Sequence, residues 1–163
     1  MRDKLVEHLP ALHRFVYRLC GHQQLAEDLV QETILRAMRS LDGLKHEETL
    51  RVWLFRIARN AWLDDCKKNQ RLRQWDEDAS EAVSLVDADP SETIEHRELI
   101  EMANLAITKL PERQRTVLIL ASGEGLTNSE IAQVLEISTD AVKSNLYAAR
   151  IAMRNAFKKV DLP

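Results

Sequence analysis

Lys143, Tyr147, Arg150, Arg154 and Lys158 recur at intervals of four and three near the end of the sequence. That spacing gathers side chains on one face of a helix. Cations around an aromatic ring make and break no bonds, but they hold phosphates and meet base edges. One residue back, Val142, Leu146, Ala149, Met153 and Phe157 form an apolar face, so the helix is predicted to be anchored on one side and to present charge on the other. A second set, the cations Arg56, Arg59, Lys67 and Lys68 with the amide of Asn60, continues into Arg71 and Arg73 on the predicted outer side of a helix that also carries Trp53 and Trp62. Aromatics interleaved with cations suit single-stranded nucleic acid, whose bases stack and whose backbone needs positive charge. Core packing is the simpler assignment for Trp53. Trp62 is placed at the core edge, and Trp75 receives no assignment.

Groups that could do covalent or metal chemistry are poorly arranged for it. His8, His13, Cys20 and His22 do not put three ligands on one helical face, and no paired-ligand motif is present. Cys66 has Lys67 and Lys68 beside it, neighbours that can lower a thiol pKa, but no histidine lies near it in sequence. There is no nucleophile elbow, HExxH, CxxC or Walker motif. The chain is not expected to be an enzyme, and no cofactor, metal or small-molecule substrate is expected.

The elements that must position these residues are helical. The 163 residues include only four Gly and four Pro, at 45% hydrophobic and 30% charged composition, which suits one ordinary domain or two small ones. No apolar run approaches a membrane span, and the N-terminus lacks a signal-peptide pattern. Two cysteines make no disulfide framework and suit a reducing compartment, so a cytoplasmic location is expected. The net charge of −3 hides segregation: residues 45–75 carry +4, residues 76–101 carry −9, and residues 102–163 carry +2. Two mildly basic modules are thus separated by a strongly acidic stretch.

Taken in order, Leu5, Leu9, Leu12, Phe15, Val16 and Leu19 mark a helix from Lys4 to Leu19 that ends near Gly21, unless Pro10 starts it. Leu25 to Leu41 follows, with Leu29, Val30, Thr33, Ala37 and Leu41 inward and Asp28, Gln31, Glu32 and Arg36 on another face. By spacing alone, that polar face reads as solvated. A polar loop from Asp42 to Glu48 leads to the third helix, with Trp53, Leu54, Ile57, Ala58 and Ala61 predicted on its buried side and Arg56 and Arg59 outside. Residues 76–91 have no sustained period and read as a flexible linker. Ser91, Glu92 and Thr93 open a helix through Ile94, Leu99, Met102, Leu105, Ala106 and Leu110. Pro111 stops it and begins another, ended by Gly123 and Gly125. Thr127 with Glu130 is a capping box before Ile131, Ala132 and Leu135. The pattern breaks at Glu136 to Ser138, where Ser138 or Thr139 can cap the final helix. A short capped helix, a tight turn and a longer helix read as a helix-turn-helix.

At their mutual positions, three stretches resemble one family, the bacterial sigma factors of the extracytoplasmic function (ECF) group, also called group IV. AEDLVQETILRAMRSLD resembles its region 2.2, RVWLFRIARNAWLDDCKK its regions 2.3 and 2.4, and LPERQRTVLILASGEGLTNSEIAQVLEISTDAVKSNLYAARIAMR its region 4. The resemblance implies an all-α fold of two small helical domains joined by a flexible acidic linker, with bounds of 1–74, 75–91 and 92–163. It implies that Asp28, Gln31 and Glu32 dock on core RNA polymerase, in place of the solvated reading. By the same resemblance Asn60 reads the minus-ten element while Arg56, Arg59, Lys67 and Lys68 hold its phosphates, and the loop Asp42 to Glu48 pockets a flipped base. Lys143, Ser144 and Tyr147 would read the minus-thirty-five element, with Arg150 and Arg154 on phosphates. An anti-sigma factor is the further partner implied, and the linker acids Asp76, Glu77, Asp78, Glu81, Asp87 and Asp89 would imitate RNA.

Three positions depart from the family pattern. Asn145 and Ala148 stand where relatives often have arginine, and each missing bidentate contact could remove about 1–3 kcal/mol of discrimination. Glu136 occupies a turn position where Gly is common. The expected function is a dissociable initiation subunit that directs polymerase to a two-element promoter. The rival readings are a sigma mimic that titrates an anti-sigma factor, and a self-sufficient helix-turn-helix repressor.

Overall fold

Phe15 and Phe55 meet edge to face, their centroids 5.0 Å apart, and join the first helix to the third. A computed structural model of the chain describes residues 2–69 and 93–160, apart from the side chains of Glu48, Lys159 and Val160. Among these residues there are seven α-helices and no strand. The sequence readings for Arg71, Arg73, Trp75 and the acidic linker lie outside them.

The first half packs α1 (Arg2–Cys20), α2 (Gln23–Ser40) and α3 (Leu50–Asn69) against one another. Leu12, Phe15, Val16 and Leu19 recur at helical spacing and are all but sealed from solvent, each contributing about 1.5–3 kcal/mol by leaving water. Gly21, at φ 74°, ends α1 by donating its N–H to the Tyr17 carbonyl at 2.8 Å, as a left-handed glycine after a helix does. Pro10 does not start this helix but lies inside it. Its ring faces solvent and the residue one turn before it, Val6, is 63% exposed, so water can satisfy the carbonyl that proline deprives of a donor. Thr33 is fully buried on α2 and donates to the Leu29 carbonyl at 2.7 Å, which satisfies a polar group in the core.

The second half comprises α4 (Ile94–Thr108), α5 (Glu112–Leu118), a π-helical turn (Ile119–Gly123), α6 (Asn128–Leu135) and α7 (Thr139–Val160). Thr93 caps α4 by accepting from the His96 N–H. The Thr127 capping box forms as predicted: its hydroxyl accepts from the Glu130 N–H at 3.2 Å, and its own N–H donates to the Glu130 carboxylate at 2.9 Å. Ser138 then caps α7 through the Ala141 N–H at 3.1 Å. Between these caps Glu136 is left-handed, at φ 56° and ψ 46°, and this one residue turns the chain from α6 into α7.

The buried apolar side chains of the two halves form one continuous core. The join is made chiefly by α3, which packs on α6, and by α1, which packs on the π-helical turn. This two-sided burial corrects the predicted orientation of α3. Trp62 is 2% exposed and fully in the core, while Trp53 and Ile57 are only half-buried. Arg59, predicted outside, is 8% exposed. A single helical period marks one buried arc, and α3 buries a second arc against the other half.

Glu136 is exposed and spends free energy on a left-handed backbone. Glu136→Gly should therefore raise stability by about 1 kcal/mol, read as a higher urea midpoint with an unchanged denaturant slope.

Candidate nucleic-acid interface

On α2, Asp28, Gln31 and Glu32 share a face because they are three and four residues apart. Asp28 and Gln31 are exposed, and Asp28 accepts from the Gln24 amide at 3.2 Å. Glu32 is partly restrained by Arg36, whose Nε donates to it at 2.9 Å while another guanidinium nitrogen donates to Asp64 at 2.9 Å. Those two carboxylates, Glu32 first, hold the Arg36 guanidinium firmly charged. Asp28, Glu32, Asp64, Asp65 and Lys68 line a cleft of about 670 Å³ between α2 and α3, floored by Leu25 and Leu29. An acidic rim over an apolar floor suits a basic, amphipathic protein element better than a polyanion.

The predicted minus-ten residues divide in two. Arg56 and Asn60 come together with Trp53 around a depression of about 370 Å³, which Arg36, Arg39 and Ser40 of α2 complete. Lys67 and Lys68 are exposed in the last turn of α3, where cations complement the helix dipole. Arg59 does not join them. It points into the seam between the two halves and donates to the Glu112 carboxylate at 3.1 Å, while its Nε has no hydrogen-bond partner. Arg36 and Arg39 are functional candidates that sequence reading missed; their signal was a spacing of three at the end of α2, which places both beside the α3 cations. The half-buried Trp53 packs against the core and also lines the same depression.

The basic face of α7 is as predicted. Lys143, Ser144, Tyr147, Arg150 and Arg154 are all exposed, Tyr147 at 69%, while Val142, Leu146 and Ala149 fix the opposite side of the helix. Ser144 already donates to the Asp140 carbonyl at 3.1 Å, which leaves its oxygen free to accept. Asn145 turns back to donate to the Ala141 carbonyl at 2.8 Å, so its amide does not extend the reading face. A helix held on one side, with cations and an aromatic free on the other, has the shape of a groove-reading element.

Comparison with known proteins agrees with this architecture. Residues 5–72 match the family described as Sigma-70 region 2, and residues 100–153 match Sigma-70, region 4. The ECF RNA polymerase sigma factor EcfG of Rhodopseudomonas palustris (strain TIE-1) is 35% identical over 150 residues, spanning 92% of this chain and 81% of that relative. The chain belongs to the ECF sigma factors. The RNA polymerase sigma factor SigV of Bacillus subtilis (strain 168) is 29% identical over 97% of this chain and 91% of its own. Among solved structures, the sigma factor RpoE in complex with the anti-sigma factor NepR from Bartonella quintana is similar, with a TM-score of 0.75 and 27% identity over 98% of this chain and 97% of that one. Sigma factors are initiation factors rather than enzymes, and the two halves here are their regions 2 and 4.

No group of three or more His, Cys, Asp or Glu among the described residues could hold a metal ion, and none of their helices is long and apolar enough to cross a membrane. Cys66 is not activated by its lysine neighbours. Burial, followed by the adjacent Asp65 carboxylate, pushes its thiol from 9.0 up to about 12, against the opposing influence of Arg115. In the folded protein Cys66 should resist iodoacetamide at about pH 8.5 and react once urea unfolds the chain, as read by mass spectrometry. The unfolded thiol ionises at lower pH than the folded one. Stability carried by the buried neutral thiol is therefore intact below about pH 9 and declines as the pH climbs toward 12.

Proposed function

We propose that this chain is a group IV sigma factor that binds core RNA polymerase, recognises minus-ten and minus-thirty-five promoter elements and promotes DNA melting. The observation that carries this reading is the pairing, on one chain, of a protein-docking face with two separate cationic faces. Asp28, Gln31 and Glu32 on α2 are the polymerase contact. A repressor that binds DNA unaided would have no use for such a surface. Arg56, Asn60, Lys67 and Lys68 serve the opened minus-ten strand, with Arg59 joining them once the seam parts. Arg36, Arg39 and Trp53 extend that site, cations for phosphate and a ring for an unstacked base. Lys143, Ser144 and Tyr147 read the minus-thirty-five duplex, and Arg150 and Arg154 hold its backbone.

Residues 1–74 act as the polymerase and minus-ten domain, 75–91 as an acidic linker and 92–163 as the minus-thirty-five domain. The factor works in the cytoplasm, carries no catalytic group and takes no cofactor. An anti-sigma factor is its regulator, as one is bound in the similar RpoE structure. A second reading, a sigma mimic that titrates an anti-sigma factor, is favoured by one observation: Asn145 spends its amide on its own helix, so the duplex-reading face is lean.

Core binding and strand opening separate the roles. Asp28→Ala with Gln31→Ala should weaken polymerase binding by at least about tenfold, on the order of 1.4 kcal/mol, in fluorescence anisotropy against labelled factor. Asn60→Ala should keep core affinity and lose permanganate reactivity of minus-ten thymines. If both variants melt promoter DNA as the wild type does, these assignments are wrong. Arg150→Ala should weaken promoter binding across sequences alike and lower the slope of log affinity against log salt by about 1, measured on holoenzyme in a salt series.

A further inference from the structure

The side chain of Glu124 is 1% exposed, and the arginines that neutralise it belong to the other half of the molecule. Arg14 grips both carboxylate oxygens, donating from Nε and from a terminal nitrogen at 2.8 Å each. A terminal nitrogen of Arg18, itself 5% exposed, lies 3.7 Å from the same carboxylate. Arg51, at the start of α3, donates to the Glu124 backbone carbonyl and stacks its guanidinium over the Phe55 ring at 5.8 Å. The backbone is shaped to deliver this residue. The π-helical turn ends with the Glu124 N–H donating to the Ile119 carbonyl at 3.1 Å, and Gly125 at φ 68° turns the chain out again. π-turns of this kind recur where a residue must be aimed.

We propose that Glu124, seated among Arg14, Arg18 and Arg51, is a latch that holds the free protein closed, with the Arg59 face of α3 covered by the second half. The energetics suit a switch. Closed, Glu124 and Arg18 are buried while Arg14 is 44% exposed; parted, all of them are hydrated, and desolvation offsets much of their attraction. The ion cluster when complete therefore adds little net stability to the closed form, whereas deletion of one partner leaves a buried charge uncompensated and tips the balance toward the open form. The same seam holds Arg59 against Glu112 with its Nε unpartnered, and places the Arg115 guanidinium over the Trp62 ring at 5.8 Å. Opening frees that face of α3 for a polyanion. The docking residues Asp28 and Gln31 and the α7 cations are exposed in the closed form already, so the latch gates the α3 face alone. The conformational claim stands on the seam; its consequence for DNA rests on the proposed minus-ten role of Arg59.

Small-angle X-ray scattering and amide hydrogen exchange on the full chain test it. Glu124→Gln keeps the side chain's shape and removes its charge. Arg14→Gln with Arg51→Gln loosens the seam from the other side and leaves the second half intact. Each variant should show a larger radius of gyration and exchange faster over 55–66 by about tenfold or more, with wild-type helical circular dichroism. If Glu124→Gln unfolds the second half, the arginine pair decides. Wild-type dimensions and exchange in a folded Arg14→Gln/Arg51→Gln variant would overturn the latch. A single-stranded minus-ten oligonucleotide separates the two claims: open variants that bind it no better than wild type sink the role given to Arg59 and leave the latch standing.

Discussion

α3 is buried from two sides, and the other features of the molecule follow from that constraint. Toward α1 and α2 it supplies Leu54 and Ala58 to the first core, with Phe55 against Phe15. Toward the second half it turns Arg51, Arg59 and Trp62, each of which meets a group from that half: the Glu124 carbonyl, the Glu112 carboxylate and the Arg115 guanidinium. These charged and ring contacts sit beside apolar packing, since the buried side chains of the two halves form one continuous core. A seam of that kind keeps a defined geometry when closed and hydrates readily when parted, which a purely apolar seam does not.

The three proposed surfaces therefore stand in different states in the free protein. The α2 face and the α7 face meet solvent, while part of the α3 face is shut. On the proposed function the physical logic is that of order: a factor that meets polymerase and duplex first, and single-stranded DNA only after melting, needs the arginine proposed for the strand last. The depression lined by Trp53, Arg56 and Asn60 is open to solvent, so the proposed closed form retains part of the proposed strand site.

Much of this was legible in the sequence where the governing interaction is local. The Thr127–Glu130 capping box, the Ser138 cap and the apolar and basic stripes of α7 depend on residues three or four apart, and all formed as predicted. Glu136 was marked as a turn position by the family pattern, in which Gly is common there, and its backbone is left-handed. Arg59 was not, because the residue that covers it lies 53 positions further on; periodicity reports how many residues share an arc, not whether a second body covers the remainder. Glu124 reads in sequence only as the polar end of a helix before Gly125, and its three arginines come from two helices far upstream. Pro10 offered a second possible helix start that the structure does not use, since a proline on the wet side of a helix need not end it. The docking role proposed for Asp28, Gln31 and Glu32 came from family resemblance alone, as spacing could not tell a docking face from a solvated one.

Transcription by purified core polymerase, programmed by the wild-type chain on a library of randomised promoters, tests the central claim most directly. Sequencing of the transcripts should recover templates that share two elements at one constant separation, with no transcript when the factor is omitted. A factor that binds core polymerase tightly yet starts transcription on no template in the library would contradict the initiation reading and leave the mimic in its place.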